Sequence, residues 1–299
     1  AMNGVVHMWW LIGQGLISGI LSGGVYALIA VGLSVVFGVM KIVNFAMGEF
    51  LTTGMYVAFV GYMLTGYSAY ALIPFVIIVM VAVGSVSFTL AIKPLIKRKD
   101  PSSFIMVTVG LSFFLINLVQ IVFGADYMSI PSAIKSASIA IGDFTVGVPR
   151  LIALCVSIVL VVLLTVVMNR TFLGRAMRAA AENAQVSEML GINTGRTFNI
   201  AFTISIVFAG IAGAMLTPLY YVYPSIGSSY NIFAVVAVVM GGMGNIKGAL
   251  IGGIMLGIIE SVVGALVSTD LGQAAIFALF LIVVYFKPQG LFGKKVRVG

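Results

Sequence analysis

The sequence predicts an all-α membrane protein, a polytopic bundle of about nine transmembrane helices with eight and ten as the limits. Of the 299 residues, 61% are hydrophobic and only 8% are charged, whereas soluble domains carry about 25% charged residues. The mean hydropathy is +1.20. Apolar runs long enough to cross a bilayer recur from Trp9 to Phe286, with short polar connections between them. We therefore expect a single transmembrane domain over residues 1–299.

The distribution of basic residues predicts the orientation of this bundle. The chain has 16 Lys and Arg against 8 Asp and Glu. Most of the basic residues fall in three segments, Lys93–Lys99, Arg170–Arg196 and Lys287–Arg297. Because cytoplasmic loops of membrane proteins are enriched in Lys and Arg, we expect these segments and the C-terminus to be cytoplasmic. An odd number of crossings then places the N-terminus outside.

The first apolar run, Trp9–Val39, would span about 45 Å as a helix, which is too long for one upright crossing and too short for two. We predict one tilted or kinked helix, and a split here would add one crossing. Residues 41–50 follow and place Lys41, Asn44 and Glu49 between two apolar runs. This pattern is typical either of an ordinary turn or of a broken helix whose free backbone groups line a path through the membrane.

The later apolar runs predict the remaining helices in order. Asp100 and Pro101 begin one of them with a capping residue followed by proline. Between Gly124 and Pro149 the chain is polar with short alternating apolar pairs, which predicts an external loop, residues 124–149, with one or two strands. The predicted helices after the first occupy residues 48–64, 70–92, 101–123, 151–168, 197–216, 231–240, 249–267 and 271–286.

A second break is predicted at residues 241–248, where GGMGNIKG separates two apolar runs. Like the stretch around Lys41, it combines glycine, Lys and Asn after an apolar helix. Both helices are expected to arrive from outside, so the two breaks would form a parallel internal repeat.

Residues 170–196 form the longest polar interruption of the chain. Good helix formers dominate Gly174–Leu190, Arg178 and Glu182 are spaced i, i+4, and Gly191 follows as a helix C-cap would. We predict a cytoplasmic segment with a short helix outside the bilayer. Its small side chains would allow another protein to approach closely, although a helix lying on lipid headgroups has the same pattern. This strip consists of Ala176, Ala179, Ala180 and Ala184.

Enzyme chemistry has little support in the sequence. No GxxxxGK[ST] phosphate-binding loop occurs, and residues 241–248 match one only in composition. The chain also lacks the nucleophile, metal and acid–base sets of a membrane enzyme. Glu260 lies well inside an apolar run, where a charge is costly. It is either functional or close enough to the outer end to reach water.

Several motifs resemble those of a known family. The segment GRAMRAAAEN (174–183), followed by LGIN (190–193), is similar to the cytoplasmic coupling loop of permease subunits of bacterial ABC importers. Four further motifs resemble those of the high-affinity branched-chain amino-acid permeases. They are GVYALIAVG (24–32), NFAMGEF (44–50), GGMGNIKGALIGG (241–253) and PQGLFG (288–293). The resemblance covers nearly the whole chain in the expected order.

This resemblance implies an inner-membrane permease subunit of an ABC importer for small amino acids, branched-chain or hydrophobic, with no ATPase site or cofactor of its own. The implied partners are a second related permease, two cytoplasmic ATPase subunits that bind ATP and Mg, and a periplasmic solute-binding protein. The residues expected to couple to the ATPase are Gly174, Arg175, Arg178, Ala180, Glu182, Gly191 and Ile192. The residues expected to line the translocation path are Asn44, Phe45, Met47, Glu49, Gly241, Gly244 and Asn245.

Other functions are compatible with part of this pattern. The same family shape serves urea, short amides and aromatic acids, so the motifs do not fix the cargo. The family often has His or Gln at the position of Met47, and a thioether there would make the path more apolar if it lines it. A stand-alone secondary carrier or channel is a different class, but it has no need of a docking segment at 170–196.

Overall fold

The computed structural model describes residues 2–96, 100–131, 137–142 and 144–293, which contain twelve α-helices and one two-stranded sheet. Residues 97–99 and 294–299, parts of two predicted basic segments, lie outside the described residues. The helices are α1 Met2–Met40, α2 Met47–Thr65, α3 Ile73–Ser87, α4 Lys93–Ile96, α5 Pro101–Phe123, α6 Val148–Arg170, α7 Phe172–Glu182, α8 Ala184–Met189, α9 Thr194–Leu216, α10 Ile226–Gly241, α11 Ile246–Leu266 and α12 Thr269–Phe286. The strands are β1 Ser138–Ile141 and β2 Phe144–Gly147.

This architecture confirms the prediction of an all-α membrane bundle. Within the described residues, seven helices are long and apolar enough to cross a membrane, and α10 is a shorter apolar helix. One of the seven is a continuous rod, Ile73–Ile96, because a π-helical stretch at Phe88–Ile92 joins α3 to α4. Together with α2 and α10, these helices are compatible with about nine crossings.

The loop at 124–149 contains the expected strands. β1 and β2 pair antiparallel, with Ser138 opposite Gly147 and Ile141 opposite Phe144. Met128 and Val222 exchange two backbone hydrogen bonds of 2.9 and 2.7 Å. These bonds tie the loop to the connection between α9 and α10.

Side-chain caps fix the start of several helices. Asp100 directly precedes Pro101 and caps α5, as the sequence predicts. Its carboxylate accepts hydrogen bonds from the backbone N–H groups of Ser102 and Ser103. The Ser103 hydroxyl and the Ser102 N–H hold the pKa of the Asp100 carboxyl below its usual value. Ser268 caps α12 in the same way.

α1 is a single helix of 39 residues, about 58 Å long, as predicted for Trp9–Val39. It packs antiparallel on α11, with Gly15 beside Val262 and Gly38 beside Gly244. Between these points, glycines of both helices let the two backbones touch. A Cβ on Gly19, for example, would lie only 2.5 Å from the Cα of Ile258 on α11. Small residues at a helix interface permit such close packing in membranes. We call this contact the α1–α11 seam.

The two ends of the bundle differ in what they carry. At one end, the basic end, the Arg170–Arg196 segment packs near the last turns of α1, and the turn between α10 and α11 lies beside Gly38. At the other end, the hairpin end, β2 is held to the start of α1 because Gln14 and Thr145 exchange two hydrogen bonds.

Residues 41–46 return from the basic end to the middle of the bundle and separate α1 from α2. Met47, the first residue of α2, lies there, because its sulfur accepts a 3.2 Å hydrogen bond from Ser205 at the midpoint of α9. From there α2 runs beside α9 toward the hairpin end, with Leu51 of its early turns against Gly213. The predicted broken helix at 41–50 is confirmed.

α10 also begins in the middle of the bundle. Gly227, in its first turn, touches Gly48 in the first turn of α2. α10 then runs to the basic end, where a short turn leads into α11. The second break inside the bundle is therefore at residues 217–225, and the predicted one at 241–248 is the end of one span and the start of the next.

The glycines and the asparagine of residues 241–248 form the turn between α10 and α11. Gly242 and Gly244 have φ values of 103° and 80°, and the Asn245 side chain caps α11. The two inner breaks also run in opposite directions, since α1 arrives from the hairpin end and α9 from the basic end. These two inner breaks are not the pair for which the sequence predicts a parallel repeat, since that prediction concerns residues 41–50 and 241–248.

Candidate functional site

The first candidate region is the polar segment, residues 170–196, which folds against the basic end. The Thr171 hydroxyl caps α7 by accepting a hydrogen bond from the Gly174 N–H at 3.3 Å. Gly174 packs so tightly on Met168 that a Cβ would overlap its backbone. Arg178 donates to the Met168 carbonyl, which places a cation at the negative end of α6. Gly174 and Arg178 therefore fix α7 onto α6.

The polar segment contains two helices where the sequence predicts one over Gly174–Leu190. α7 ends because Asn183 is extended, with φ −153° and ψ 104°. The Asn183 side chain then caps α8 by accepting from the Val186 N–H at 3.1 Å. Asn side chains compete in this way with helix backbone bonds. The predicted pair of Arg178 and Glu182 does not form within the described structure, because Arg178 is turned toward α6.

Gly191 ends α8 as the sequence predicts. Its φ is 84°, and the Ile192 N–H donates to the Ser187 carbonyl at 3.0 Å, which is the long closing bond of a Schellman motif. The Glu188 carboxylate accepts a hydrogen bond from the Thr194 hydroxyl. The end of α8 is thereby tied to the first turn of α9.

The small-residue strip of the polar segment faces the bundle. Ala176 and Ala180 are buried with Met177, and α7 packs on α1, α6 and α9. This corrects the expectation that the strip, Ala180 included, meets another protein, because its small side chains bring α7 close to helices of its own chain. Arg175 and Glu182 are exposed.

A different apolar surface of the polar segment is exposed. Met189 is 85% and Leu190 is 76% exposed, and Phe172 and Val186 are exposed as well. We call these four residues the apolar patch. The patch was not predicted from the sequence, although Val186, Met189 and Leu190 have the i, i+3, i+4 spacing of one helix face.

The second candidate region is the inner junction, where the first turns of α2 and α10 meet at mid-bundle. A Cβ on Gly48 or on Gly227 would fall on the carbonyl oxygen of the other residue. Asn231 of α10 donates from Nδ2 to the Phe45 carbonyl at 2.6 Å. The returning stretch 41–46 is therefore held against α10.

Glu49, in the first turn of α2, is the acidic residue of the inner junction. It is only 3% exposed. Its Oε1 accepts hydrogen bonds from Ser112 of α5 at 2.9 Å and from Ser228 of α10 at 3.4 Å. One carboxylate thus links three helices, at a helix N-terminus that favours negative charge.

Three buried polar atoms of the inner junction have no hydrogen-bond partner among the described residues. They are Asn44 Nδ2, Glu49 Oε2 and Asn231 Oδ1. Asn44 is fully buried, and its Oδ1 is used locally by the Ala46 N–H at 3.0 Å. Each unpaired buried polar group costs about 1–3 kcal/mol. Such atoms are retained in proteins where water, an ion or a functional partner completes them.

The predicted path residues lie in two separate places. Asn44, Phe45, Met47 and Glu49 belong to the inner junction, with Met47 fully buried in contact with Gly32. The other three lie at the basic end, where Asn245 donates to the Phe292 carbonyl at 3.0 Å and Gly241 packs on Gly248. Gly244, the third of these residues, lies beside Gly38.

Three residues of the inner junction were not predicted. Ser228 and Asn231 lie in SSYN, a polar group in which Asn231 is the first residue of the helix predicted over 231–240 and Ser228 precedes it. Ser112 lies within an apolar run that also contains Thr108 and Asn117, and no sequence pattern distinguishes it from them.

Residues 15–284 match the family described as the permease component of the branched-chain amino acid transport system. The chain belongs to this family. LivH of Escherichia coli (strain K12), a high-affinity branched-chain amino acid transport system permease protein, is 33% identical over 295 residues, which cover 94% of this chain and 95% of LivH. BraD of Pseudomonas aeruginosa, with the same description, is 30% identical over 296 residues, with 94% and 95% covered. A probable LivH of Methanocaldococcus jannaschii is 30% identical over 253 residues, 82% of this chain and 78% of that protein.

Segments that carry the resemblance described above lie in both candidate regions. NFAMGEF (44–50) supplies the α2 side of the inner junction, and GRAMRAAAEN (174–183) supplies α7 and the Asn183 cap of α8. The family resemblance found in the sequence is confirmed over nearly the whole permease.

Proposed function

We propose that this chain is the inner-membrane permease subunit of a bacterial ABC importer for small amino acids, branched-chain or otherwise hydrophobic. Membership of the permease family supports the transport class. The observation that carries the assignment to an ATP-driven system is the apolar patch, which is exposed at the basic end on two short helices with side-chain N-caps. Exposed apolar groups mark a contact with a protein or a membrane, and we assign this patch to a protein.

In this proposal, an ATPase subunit covers the apolar patch. Arg175, Glu182, Gly191 and Ile192 lie on or beside the docking face. Gly174, Arg178 and Ala180 act differently, because they anchor α7 to the bundle. Since α7 and α8 are tied to α6 and α9 by caps and side-chain bonds, a displacement of the ATPase would be transmitted as rigid-body movement. ATP and Mg bind to the ATPase subunits.

The charges of the chain support an orientation with the basic end in the cytoplasm. The hairpin end, with the external loop 124–149 and the N-terminus, then faces the periplasm. A solute-binding protein delivers cargo at that end, and a second, related permease subunit completes the membrane part.

The translocation path in this proposal passes the inner junction. The unpaired Asn44 Nδ2 is a donor, and the unpaired Glu49 Oε2 and Asn231 Oδ1 are acceptors. They lie where two half-helices meet, beside the Phe45 carbonyl that Asn231 holds, as broken helices do in other transporters. Gly241, Gly244 and Asn245 lie nearer to the cytoplasmic exit. Met47 packs inside the bundle in this conformation.

Reconstitution tests the proposal. Proteoliposomes that contain the chain, its partner permease, the ATPases and the binding protein should import leucine only with ATP. The same vesicles should be offered urea, short amides and aromatic acids, since preference for one of these would replace the cargo assignment. Leucine uptake by the chain alone, without ATP or partners, would instead identify a stand-alone carrier.

A further inference from the structure

A cavity of about 350 Å³ opens at the hairpin end of the bundle, away from both candidate regions. Small-molecule sites usually fall in a range of about 300–1,000 Å³. α1 supplies Gln14, Ser18 and Leu21 to the wall, the hairpin supplies Thr145, and the α9–α10 connection supplies Leu219. The cavity is therefore large enough for a small solute and is lined by both polar and apolar groups.

Arg150 is the cationic residue of this cavity. It lies in the first turn of α6, which contains no acidic residue, so its charge adds to the positive end of that helix. Within the described part of the chain, its guanidinium makes no hydrogen bond or ion pair. The Glu260 carboxylate interacts with this charge electrostatically, but no carboxylate is among the described lining residues, so an anionic group in the cavity could pair with the guanidinium directly.

The wall around Arg150 is held in place before any ligand arrives. The Gln14 carboxamide donates to the Thr145 carbonyl at 2.8 Å and accepts from the Thr145 N–H at 3.0 Å. It also donates to the Ser18 hydroxyl at 3.3 Å. α1 and β2 are thereby fixed to each other at the mouth of the cavity, which reduces the ordering cost of binding.

A narrow cleft of about 20 Å³ continues inward from Arg150. Tyr26 and Tyr230 line it, and the Tyr26 hydroxyl donates to Glu260 Oε2 at 2.6 Å. This cleft has room for about one water molecule. A solute would therefore stop in the outer cavity beside Arg150. Tyr26 and Tyr230 would separate it from the Glu260 carboxylate.

We propose that this cavity is an outer binding site for a free amino acid, whose carboxylate pairs with Arg150 and whose apolar side chain packs on Leu21 and Leu219. The inference rests on the proposed import function for the identity of the ligand. The wall offers one cation for a carboxylate and two leucines for an apolar side chain, which are the two groups that a free hydrophobic amino acid presents together. The Tyr26–Glu260 bond between α1 and α11 closes the inner side of the site.

The test measures binding of L-leucine to the full chain in nanodiscs of phosphatidylcholine by saturation-transfer NMR. Leucinol, which lacks the carboxylate, should bind about 10- to 100-fold more weakly, as expected for loss of a charged hydrogen bond. Arg150→Gln should weaken leucine binding by the same factor, and Arg150→Lys should retain part of it. Lys287→Gln removes one exposed positive charge at the basic end and should leave binding unchanged.

Ser18→Phe provides a second variant, because it fills the cavity while leaving Arg150 in place, and it should also abolish binding. Equal affinity for leucine and leucinol, or unchanged binding by both Arg150→Gln and Ser18→Phe, would overturn the site. Absence of leucine binding together with saturable binding of short-chain phosphatidylglycerol would overturn it in favour of a lipid headgroup site. ATP-driven leucine import by the wild-type assembly decides the proposed function separately.

Discussion

The polar segment and the inner junction are both interruptions of helices, yet the polar groups of the first are paired and several of the second are not. In the polar segment, Thr171, Asn183, Gly191 and Asn193 complete the helix ends, and apolar side chains are left exposed. In the inner junction, backbones touch through glycine and polar side-chain atoms are left unpaired in the interior.

This difference favours a different kind of partner for each region. A capped, rigid element with exposed Met and Leu suits a lasting contact with an apolar protein surface. Buried polar atoms without partners suit a hydrogen-bonding solute or water that enters and leaves. Both inferences can be tested separately, since a change in one region should leave the function of the other intact.

The largest effect is expected from Gly48→Val at the inner junction. Its side chain would overlap the Gly227 backbone, so α2 and α10 must separate. We expect the purified chain to lose stability by several kcal/mol or to fail to fold, measured as the thermal unfolding temperature in detergent. Gly110→Val is the control, because nothing lies within 4 Å of a Cβ at Gly110; similar losses in both variants would contradict close packing at the junction.

The next effect is expected from Glu49→Gln, which keeps the shape of the side chain but removes its charge. If the inner junction contacts the cargo, ATP-driven uptake should fall by about tenfold or more, in line with a charged hydrogen bond of about 1.5–3 kcal/mol. ATPase binding, measured by co-purification, should stay at the wild-type level. Equal loss of uptake and of ATPase binding would remove Glu49 from the path.

A smaller effect is expected from the double change Met189→Ser and Leu190→Ser in the apolar patch. Loss of two buried apolar contacts should weaken ATPase binding by about 2–4 kcal/mol, and transport should become uncoupled from ATP hydrolysis. Met63→Ser with Leu64→Ser is the matched control, because those residues are also exposed but lie at the far end of α2. Unchanged ATPase binding in the patch variant would exclude it as the docking surface.

The smallest effect is expected at Gly191, whose φ of 84° suits glycine. Gly191→Val should cost about 1–2 kcal/mol from the backbone alone, since no atom lies near a Cβ there. Gly191→Asn should cost less, because Asn tolerates this conformation. The ratio of ATP hydrolysed to leucine imported should rise for Val more than for Asn, and equal ratios would show that the C-cap does not affect coupling.

The sequence predicted the membrane bundle, the single long first helix and the break after Lys41, because hydropathy and polar interruptions are local properties. It placed the second break at 241–248, because glycine, Asn and Lys have the same composition in a tight turn as in a re-entrant stretch. Prolines 218 and 224 bracket the real break, but depth in the bundle depends on packing between α2 and α10, which a single sequence does not contain.

The candidate sites were predicted unevenly for the same reason. Gly191 as a C-cap and Glu49 at a break follow from local rules. The direction in which the alanine strip faces was wrong, since an amphipathic helix has the same pattern whether its apolar side meets its own chain or another. Ser112 and Ser228 come from helices distant in sequence and meet Glu49 only in the folded chain.

The α1–α11 seam has a consequence for how the protein is made. The glycine face of α1 emerges from the ribosome first, but its partner on α11 follows roughly 240 residues later, which takes about 12–48 s at 5–20 residues per second. During that interval the glycine face of α1 lacks the α11 surface on which it packs in the folded protein. Chains truncated before Ile246 should therefore be degraded faster than full-length ones, and the insertion machinery has reason to retain α1 until synthesis is nearly complete.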